Sequence, residues 1–193
     1  MIYTFDIEDY YKNFCKFQLN ENIEFNNNFY DQTLEISKYL NKNNIIGIFF
    51  ILGEVAEYFP NLVKQIIKDN HIIGSHGYNH ENINNFTKEK FKNDLKKSIN
   101  IFKSIDKNIK INHYRSPGFS MLNNINEYYE VLNEMKIYNS SSFTNTTFNK
   151  IKKNIQFYKV KEAPIPSINL FFIDYKFTGG SYFRITPMII MNI

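Results

Sequence analysis

The sequence predicts an α/β fold built on a mainly parallel sheet or barrel. Short apolar runs of strand length alternate with longer stretches of helical periodicity along the 193 residues. One apolar run, IIGIFFIL (45–52), is continuous, which is typical of a strand covered on both faces. Chemically reactive side chains follow the apolar runs, at the carboxyl ends where parallel α/β folds build their sites.

The first half of the chain predicts three strands and two helices. IYTF (2–5) is an apolar run that leads into an acidic cluster. In 32–43 apolar side chains recur near helical spacing, and 60–70 has proline at an early helical position and asparagine at its end. The apolar run 45–52 lies between these two helices. HIIGSH (71–76) is a short strand that delivers the first histidine of a pair.

The second half predicts further strand–helix alternation. The clearest helix is 87–104, capped by Thr87, in which four apolar side chains repeat with helical spacing: Phe91, Leu95, Ile99 and Phe102. INHYRSPGFS (111–120) is a strand that runs into a loop, followed by a helix near 124–135 and by KIYNSSSF (136–143). No repeat or low-complexity linker divides the chain, so we expect one domain over 1–193.

Composition excludes several classes of protein. The net charge is only +4, and the lysine-rich stretch KEKFKNDLKK (88–97) is interleaved with acidic and apolar residues, so no nucleic-acid partner is expected. Cys15 is the only cysteine, which rules out a disulfide framework and a four-cysteine zinc site. The N-terminus reaches charged residues within six positions, which predicts neither a signal peptide nor a membrane span. A cytoplasmic location is therefore expected.

Two of the four histidines stand close together in GSHGYNH (74–80). His76 and His80 can point at one spot, although a polar surface loop would also explain them. Two neutral imidazoles and one carboxylate leave a fourth position of zinc open for water, which is the arrangement of a catalytic site. DIED, after the first strand, offers the carboxylate from either Glu8 or Asp9.

Two further charged residues complete this hypothesis. A metal would polarise an acyl oxygen and lower the pKa of its bound water. Asp6 would then be free to act as a general base, and Arg115 could keep that carboxylate ionised and oriented. Because Asp6, His76 and Arg115 each follow a predicted strand, we expect them to meet at one face of the sheet.

These motifs carry a resemblance to a known family. TFDIEDYY, GSHGYNH and YRSPGFS, in this order, resemble the three first motifs of the polysaccharide deacetylases, also called the NodB-homology or carbohydrate esterase family 4 group. The likeness runs over essentially the whole chain and is greatest to the bacterial branch with a DVED-type first motif. That branch is associated with exopolysaccharide and surface-glycan synthesis.

The resemblance implies a distorted (β/α) barrel and a divalent metal, usually zinc, with cobalt and iron left open. It implies hydrolysis of an acetyl group from an N-acetylated sugar, a nucleotide sugar or a glycan intermediate. The family likeness makes Asp6 the catalytic base, with Arg115 steadying it. It makes His76 and His80 metal ligands with Glu8 or Asp9, Pro117 the residue that shapes the groove, and Gly118 the backbone N–H that holds the oxyanion.

One family feature has no counterpart in this sequence. The last family motif carries a histidine, taken as the general acid for the leaving amine, and no histidine follows His113. We therefore expect either an incomplete barrel that lacks its last strand or strands, or another proton donor. His71 and His113 are weak substitutes. An incomplete barrel would expose sheet edges, so self-association into a homo-oligomer is also expected.

Two other functions stay open. The first is a catalytically impaired, glycan-binding homologue, because the late histidine is absent. The second is hydrolysis of another amide, since some members of this family open cyclic amides such as allantoin.

Overall fold

The computed structural model describes residues 3–170 and 173–176. In this part of the chain six strands form one sheet in sequential order, and every neighbouring pair is parallel. They are β1 (Tyr3–Ile7), β2 (Gly47–Ile51), β3 (Ile72–Ser75), β4 (His113–Tyr114), β5 (Asn139–Ser140) and β6 (Lys161–Glu162). An antiparallel hairpin of β7 (Ser167–Leu170) and β8 (Ile173–Lys176) follows.

Helices connect the parallel strands. They are α1 (Tyr10–Phe14), α2 (Asn27–Lys42), α3 (Gly53–Tyr58), α4 (Pro60–Lys68), α5 (Lys88–Ile105), α6 (Ile125–Glu134) and α7 (Asn145–Ile155). A π-helical turn, Cys15–Leu19, continues α1, and single 3₁₀ turns span Ile83–Asn85 and Pro117–Phe119. Of the helices in the described segments, none is long and apolar enough to cross a bilayer.

The predicted α/β class is confirmed, and most predicted elements lie within two residues of their observed bounds. The largest shift is in α2, which begins at Asn27 and not at residue 32, because the Asn26 side chain caps it by accepting a hydrogen bond from the N–H of Asn28. The sequence analysis did not predict α1, its π-helical turn, α3, α7 or the strands after β5. The predicted single domain over 1–193 extends beyond the described residues.

Helix α5 shows how the apolar pattern positions an element. Its four predicted apolar residues are buried, and they belong to the main core: Phe91, Leu95, Ile99 and Phe102. Thr87 caps the helix by accepting a hydrogen bond from the N–H of Lys90. The opposite, lysine-rich side stays in solvent, where Lys88 and Lys92 pair with glutamates of α6. The charged stretch is thus the solvated face of a core helix.

The sheet must curve strongly. Strand β1 is separated from β4 by β2 and β3, so a flat sheet would place them about 14 Å apart. Yet Arg115, directly after β4, contacts Asp6 of β1 at 2.7 Å between Nη1 and Oδ1. The strands therefore curl as in a barrel, and their carboxyl ends converge on one face.

Candidate metal centre and active site

Three strand ends supply the site. Glu8 directly follows β1, His76 directly follows β3, and Arg115 directly follows β4. The backbone N–H of His76 donates to Ile51 and that of Arg115 donates to Ser75, so the sheet ladder continues through both residues and fixes their direction. The three predicted motifs thus meet at the carboxyl face of the sheet.

One cluster of potential metal ligands lies in the described segments. It consists of Glu8, His76 and His80, whose ligating atoms all lie within 4.8 Å of one another. The Nε2 atom of His80 is 2.6 Å from Oε2 of Glu8, and the rings of the two histidines have centroids 5.5 Å apart. Two imidazoles and a carboxylate that converge on one point are the ligand set of catalytic zinc sites.

The two histidines are held differently. His76 is buried, and its Nδ1 lies 2.9 Å from the carbonyl oxygen of Arg115, so Nδ1 carries the hydrogen and Nε2 keeps its lone pair for a metal. His80 adopts a left-handed conformation with φ of 61°. With this backbone conformation, which is uncommon for a residue other than glycine, the His80 ring reaches Glu8.

The protonation states suit metal binding. Burial lowers the pKa of His76 below its usual value, with the charges of Asp6 and Glu8 offsetting only part of this effect, so the imidazole is neutral at pH 7. Burial alone would raise the pKa of Glu8, but the hydrogen bond and charge of His80, helped by His76 and Asn13, lower it overall. A neutral imidazole and an ionised carboxylate are the forms that bind a cation.

The second acidic candidate, Asp9, lies outside this cluster. It is buried and caps α1: Oδ1 accepts from the N–H of Lys12 at 3.0 Å, and Oδ2 accepts from the N–H of Asn26 at 2.8 Å. Both carboxylate oxygens therefore serve the backbone. Of the two carboxylates that the sequence left open as the third ligand, the structure brings Glu8 to the histidines and gives Asp9 a capping position.

A pair of substitutions tests this division. Replacing Asp9 with Ala should lower the free energy of unfolding by about 1–2 kcal/mol, because a helix cap and a second backbone hydrogen bond are lost. Zinc affinity, measured by chelator competition, should stay within a few-fold of the unsubstituted protein. Replacing Glu8 with Gln should instead weaken zinc binding strongly and change the free energy of unfolding only slightly. Zinc affinity that falls as far in Asp9→Ala as in Glu8→Gln would contradict the assignment.

Asp6 and Arg115 form a second functional unit beside the ligands. Arg115 is buried, and its guanidinium reaches Asp6 at 2.7 Å while its Nη2 donates to Thr4 and its Nε and Nη2 donate to Ser141. The Arg115 Cζ atom also lies 4.2 Å from the centroid of the Phe50 ring. These contacts fix the arginine, so it presents a constant positive charge to Asp6.

Several supporting residues were not predicted from the sequence. Thr4 and Ser141 fix the arginine, and Asn13 donates to Oε2 of Glu8 at 3.1 Å. Short polar side chains of this kind carry no periodic signal. One signal was available for Thr4, since Thr4, Asp6 and Glu8 alternate along one strand and its extension and so share a face.

The third motif packs against the second. The Cγ atom of the buried Pro117 lies 3.4 Å from the point where a side chain at Gly77 would begin. Gly118 has φ of 56°, and a Cβ atom there would meet nothing within 4 Å, so the chain leaves open space at this peptide group. The groove-shaping role of Pro117 and the oxyanion role of the Gly118 N–H stay predictions.

The remaining histidines lie elsewhere. His71 is buried between α2 and β2, where its Nδ1 accepts from the N–H of Gly47 and its Nε2 donates to the carbonyl of Ser37. His113 lies on β4 with its Nδ1 2.6 Å from the Asn112 side-chain oxygen, and burial lowers its pKa. Neither belongs to the ligand cluster of the described residues.

Comparison with known proteins agrees with the fold and with the motifs. A family model described as polysaccharide deacetylase matches residues 22–137, more than half of the chain. A peptidoglycan-N-acetylglucosamine deacetylase of Bacillus cereus is 39% identical over 69 residues, which are 36% of this chain and 25% of that protein. The chain thus matches only about a quarter of the length of this curated relative.

Solved structures give the same architecture. A Mycobacterium smegmatis protein assigned as a polysaccharide deacetylase superposes with a TM-score of 0.61 and 16% identity, over 93% of this chain and 64% of that one. A carbohydrate esterase family 4 pseudoenzyme from Bacillus anthracis gives 0.55 and 16% identity, over 86% and 54%. At these identities the likeness shows the fold, and it confirms the distorted barrel. The extent of the family match, together with this fold, establishes that the chain belongs to the polysaccharide deacetylase family.

Proposed function

We propose that this chain is a zinc-dependent carbohydrate N-deacetylase that removes the acetyl group from an N-acetylated sugar or glycan intermediate. The observation that supports this proposal most directly is the convergence of Glu8, His76 and His80 beside the Asp6–Arg115 pair. It combines a site able to hold a divalent metal with an oriented carboxylate, which together are what amide hydrolysis needs.

The donor set fits a zinc ion. His76 and His80 would supply nitrogens and Glu8 an oxygen, and a catalytic zinc site keeps its fourth position for water or substrate. When bound, zinc supplies polarisation of the acyl oxygen and a water of lowered pKa. The second contact of His76, with the Arg115 carbonyl, is the type of outer partner that orients a metal-ligating histidine.

Three residues of the chain would have separate roles in the reaction. Asp6 takes a proton from the attacking water, whose oxygen forms the new bond to the acetyl carbon. Arg115 pairs with the Asp6 carboxylate and fixes its orientation. The N–H of Gly118 would donate to the oxyanion. As the carbon–nitrogen bond breaks, the sugar nitrogen takes up the proton that Asp6 accepted and leaves as the amine, so that acetate is released and Asp6 returns to a carboxylate.

The expected substrates are N-acetylhexosamine polymers, their oligomers or nucleotide sugars, in surface-polysaccharide synthesis. Acetate release from each should be measured with zinc-loaded protein, and ring opening of the cyclic amide allantoin should be measured separately by loss of allantoin. We expect release from at least one sugar substrate, loss of activity with a chelator, and recovery when zinc is restored. Zinc-loaded protein that releases no acetate from any of them would refute the deacetylase proposal.

One observation favours a second candidate, a glycan-binding protein without turnover: the Bacillus anthracis protein that shares this fold is a pseudoenzyme. Isothermal calorimetry on the same sugars separates the two functions. Sugar binding without acetate release would support the second candidate. Acetate release would refute the second candidate.

A further inference from the structure

Helix α5 reaches the loop that carries both histidines. The carboxylate of Asp94 accepts a hydrogen bond from the backbone N–H of Tyr78 at 3.2 Å between N and Oδ2. Tyr78 stands midway between His76 and His80. The contact therefore acts on the peptide that sets the distance and angle between the two imidazoles.

The carboxylate packs tightly against the same loop. Gly77 has φ of 79°, and a side chain there would begin 3.2 Å from Oδ2 of Asp94, so loop backbone and carboxylate are in close contact. Only glycine fits this left-handed, crowded position without strain. The backbone of Gly77 and Tyr78 therefore lies directly against the Asp94 carboxylate.

A second contact from the same helix face acts one residue earlier. Ser98, one turn after Asp94, has its Oγ 2.9 Å from the Oγ of Ser75, and that Ser75 oxygen accepts from the N–H of Gly77 at 3.2 Å. Two successive loop N–H groups are thus fixed by α5, one directly and one through Ser75. The carbonyls of the same two residues are fixed from the other side, by the N–H groups of Gly53 and Glu54.

Asp94 occupies a costly position. Burial and, to a smaller degree, the charge of Glu81 raise its pKa to about 6, although the Tyr78 N–H, Lys90 and Lys97 act in the opposite direction. Nearby Tyr114 is buried, and its hydroxyl has no hydrogen-bond partner in the described residues. A carboxylate here destabilises the fold above pH 6, because the folded state holds its proton more tightly than the unfolded chain does. An acidic residue that destabilises the fold next to the histidine loop points to a function of its carboxylate in that loop.

We propose that Asp94 is a positioning residue for the metal centre, which fixes the Tyr78 peptide and thereby the separation of His76 and His80. The inference rests on the proposed metal-dependent function and adds a residue outside its ligand and base set. Asp94 acts through the loop backbone and contributes no ligand atom to the cluster.

The test uses zinc affinity, measured by chelator competition without substrate. Asp94→Ala and Asp94→Leu should bind zinc about 10-fold more weakly, the lower end of the loss caused by removing a direct partner of a metal ligand, because Asp94 acts on the ligands through the loop backbone. Asp94→Asn keeps an oxygen acceptor and should restore most of this affinity. The visible spectrum of bound cobalt should change in Ala and Leu but not in Asn. Asn93→Ala, at the neighbouring exposed position of α5, is the matched control and should bind like the unsubstituted protein.

Folding is checked by thermal unfolding of the zinc-free proteins at pH 8, where removal of the half-buried charge stabilises the variants and loss of the Tyr78 hydrogen bond destabilises Ala and Leu, so we expect cooperative unfolding with only small changes in Tm. If the unsubstituted protein binds zinc and the Ala and Leu variants bind it equally well, the positioning role is refuted while the deacetylase proposal stands. If the unsubstituted protein binds no zinc, the metal-dependent function itself is refuted, and the role of Asp94 with it.

Discussion

Replacing Glu8 with Gln, or His76 with Ala, should remove tight zinc binding and reduce acetate release by about three orders of magnitude. A bound metal lowers the barrier of acyl hydrolysis by several kcal/mol, and each 1.4 kcal/mol corresponds to about a tenfold rate. With three protein ligands, loss of one leaves too few to hold the ion in an open catalytic site. Zinc content by atomic emission and acetate release by enzymatic assay measure both effects.

The chain offers a matched control for the histidine substitution. His71 is buried like His76, with 7% and 1% of the residue exposed, but both of its nitrogens contact the backbone at Gly47 and Ser37. His71→Ala should lower stability through these lost contacts and leave zinc content unchanged. If His71→Ala and His76→Ala lose zinc to the same extent, the loss reflects damage to the fold, and the ligand assignment is wrong.

The meeting of the three motifs was predictable because it depends on topology. In a parallel sheet with sequential strands, everything that follows a strand end lies on one face, whatever the separation along the chain. His76 and Arg115, which follow β3 and β4, therefore lie together, and Asp6, which the structure places near the carboxyl end of β1 and not after it, meets Arg115 there. Helix α5 and strand β2 were predictable for a different reason, because burial leaves a pattern in the sequence. Burial of one helix face leaves the apolar repeat of α5, and burial of both sheet faces leaves the continuous apolar run of β2.

Other features could not be predicted, because they depend on contacts that leave no pattern in the sequence. Helix α1 has only five residues and ends in a π-helical turn, too short for a 3.6-residue period to be visible. Glu8 and Asp9 are adjacent and chemically alike, and only their partners in the structure distinguish them. Glu8 contacts His80, whereas Asp9 accepts hydrogen bonds from backbone N–H groups. Asp94 resembles any surface acid in a lysine-rich helix until its contact with Tyr78 is seen.

Replacing Asp6 with Asn should reduce kcat by about 10²- to 10⁴-fold, the usual contribution of a general base, while zinc affinity stays nearly unchanged. Asp6 lies beside the ligand cluster without belonging to it, and the asparagine keeps the size of the side chain. Its loss of charge also leaves the buried Arg115 without its ion-pair partner, so a lower free energy of unfolding is expected.

Replacing Arg115 with Lys separates two effects of the arginine on Asp6: the orientation of the carboxylate and the positive charge beside it. Lysine keeps the positive charge but has a single nitrogen, which cannot reach Asp6, Thr4 and Ser141 together as the guanidinium does. We expect an intermediate loss of kcat with zinc still bound, because the Asp6 carboxylate would keep a positive partner but would be less well oriented. Comparison of kcat and zinc content in both variants is decisive: if Asp6→Asn retains kcat within tenfold while its zinc is intact, the proton is taken by another group, and the Asp6–Arg115 pair is structural.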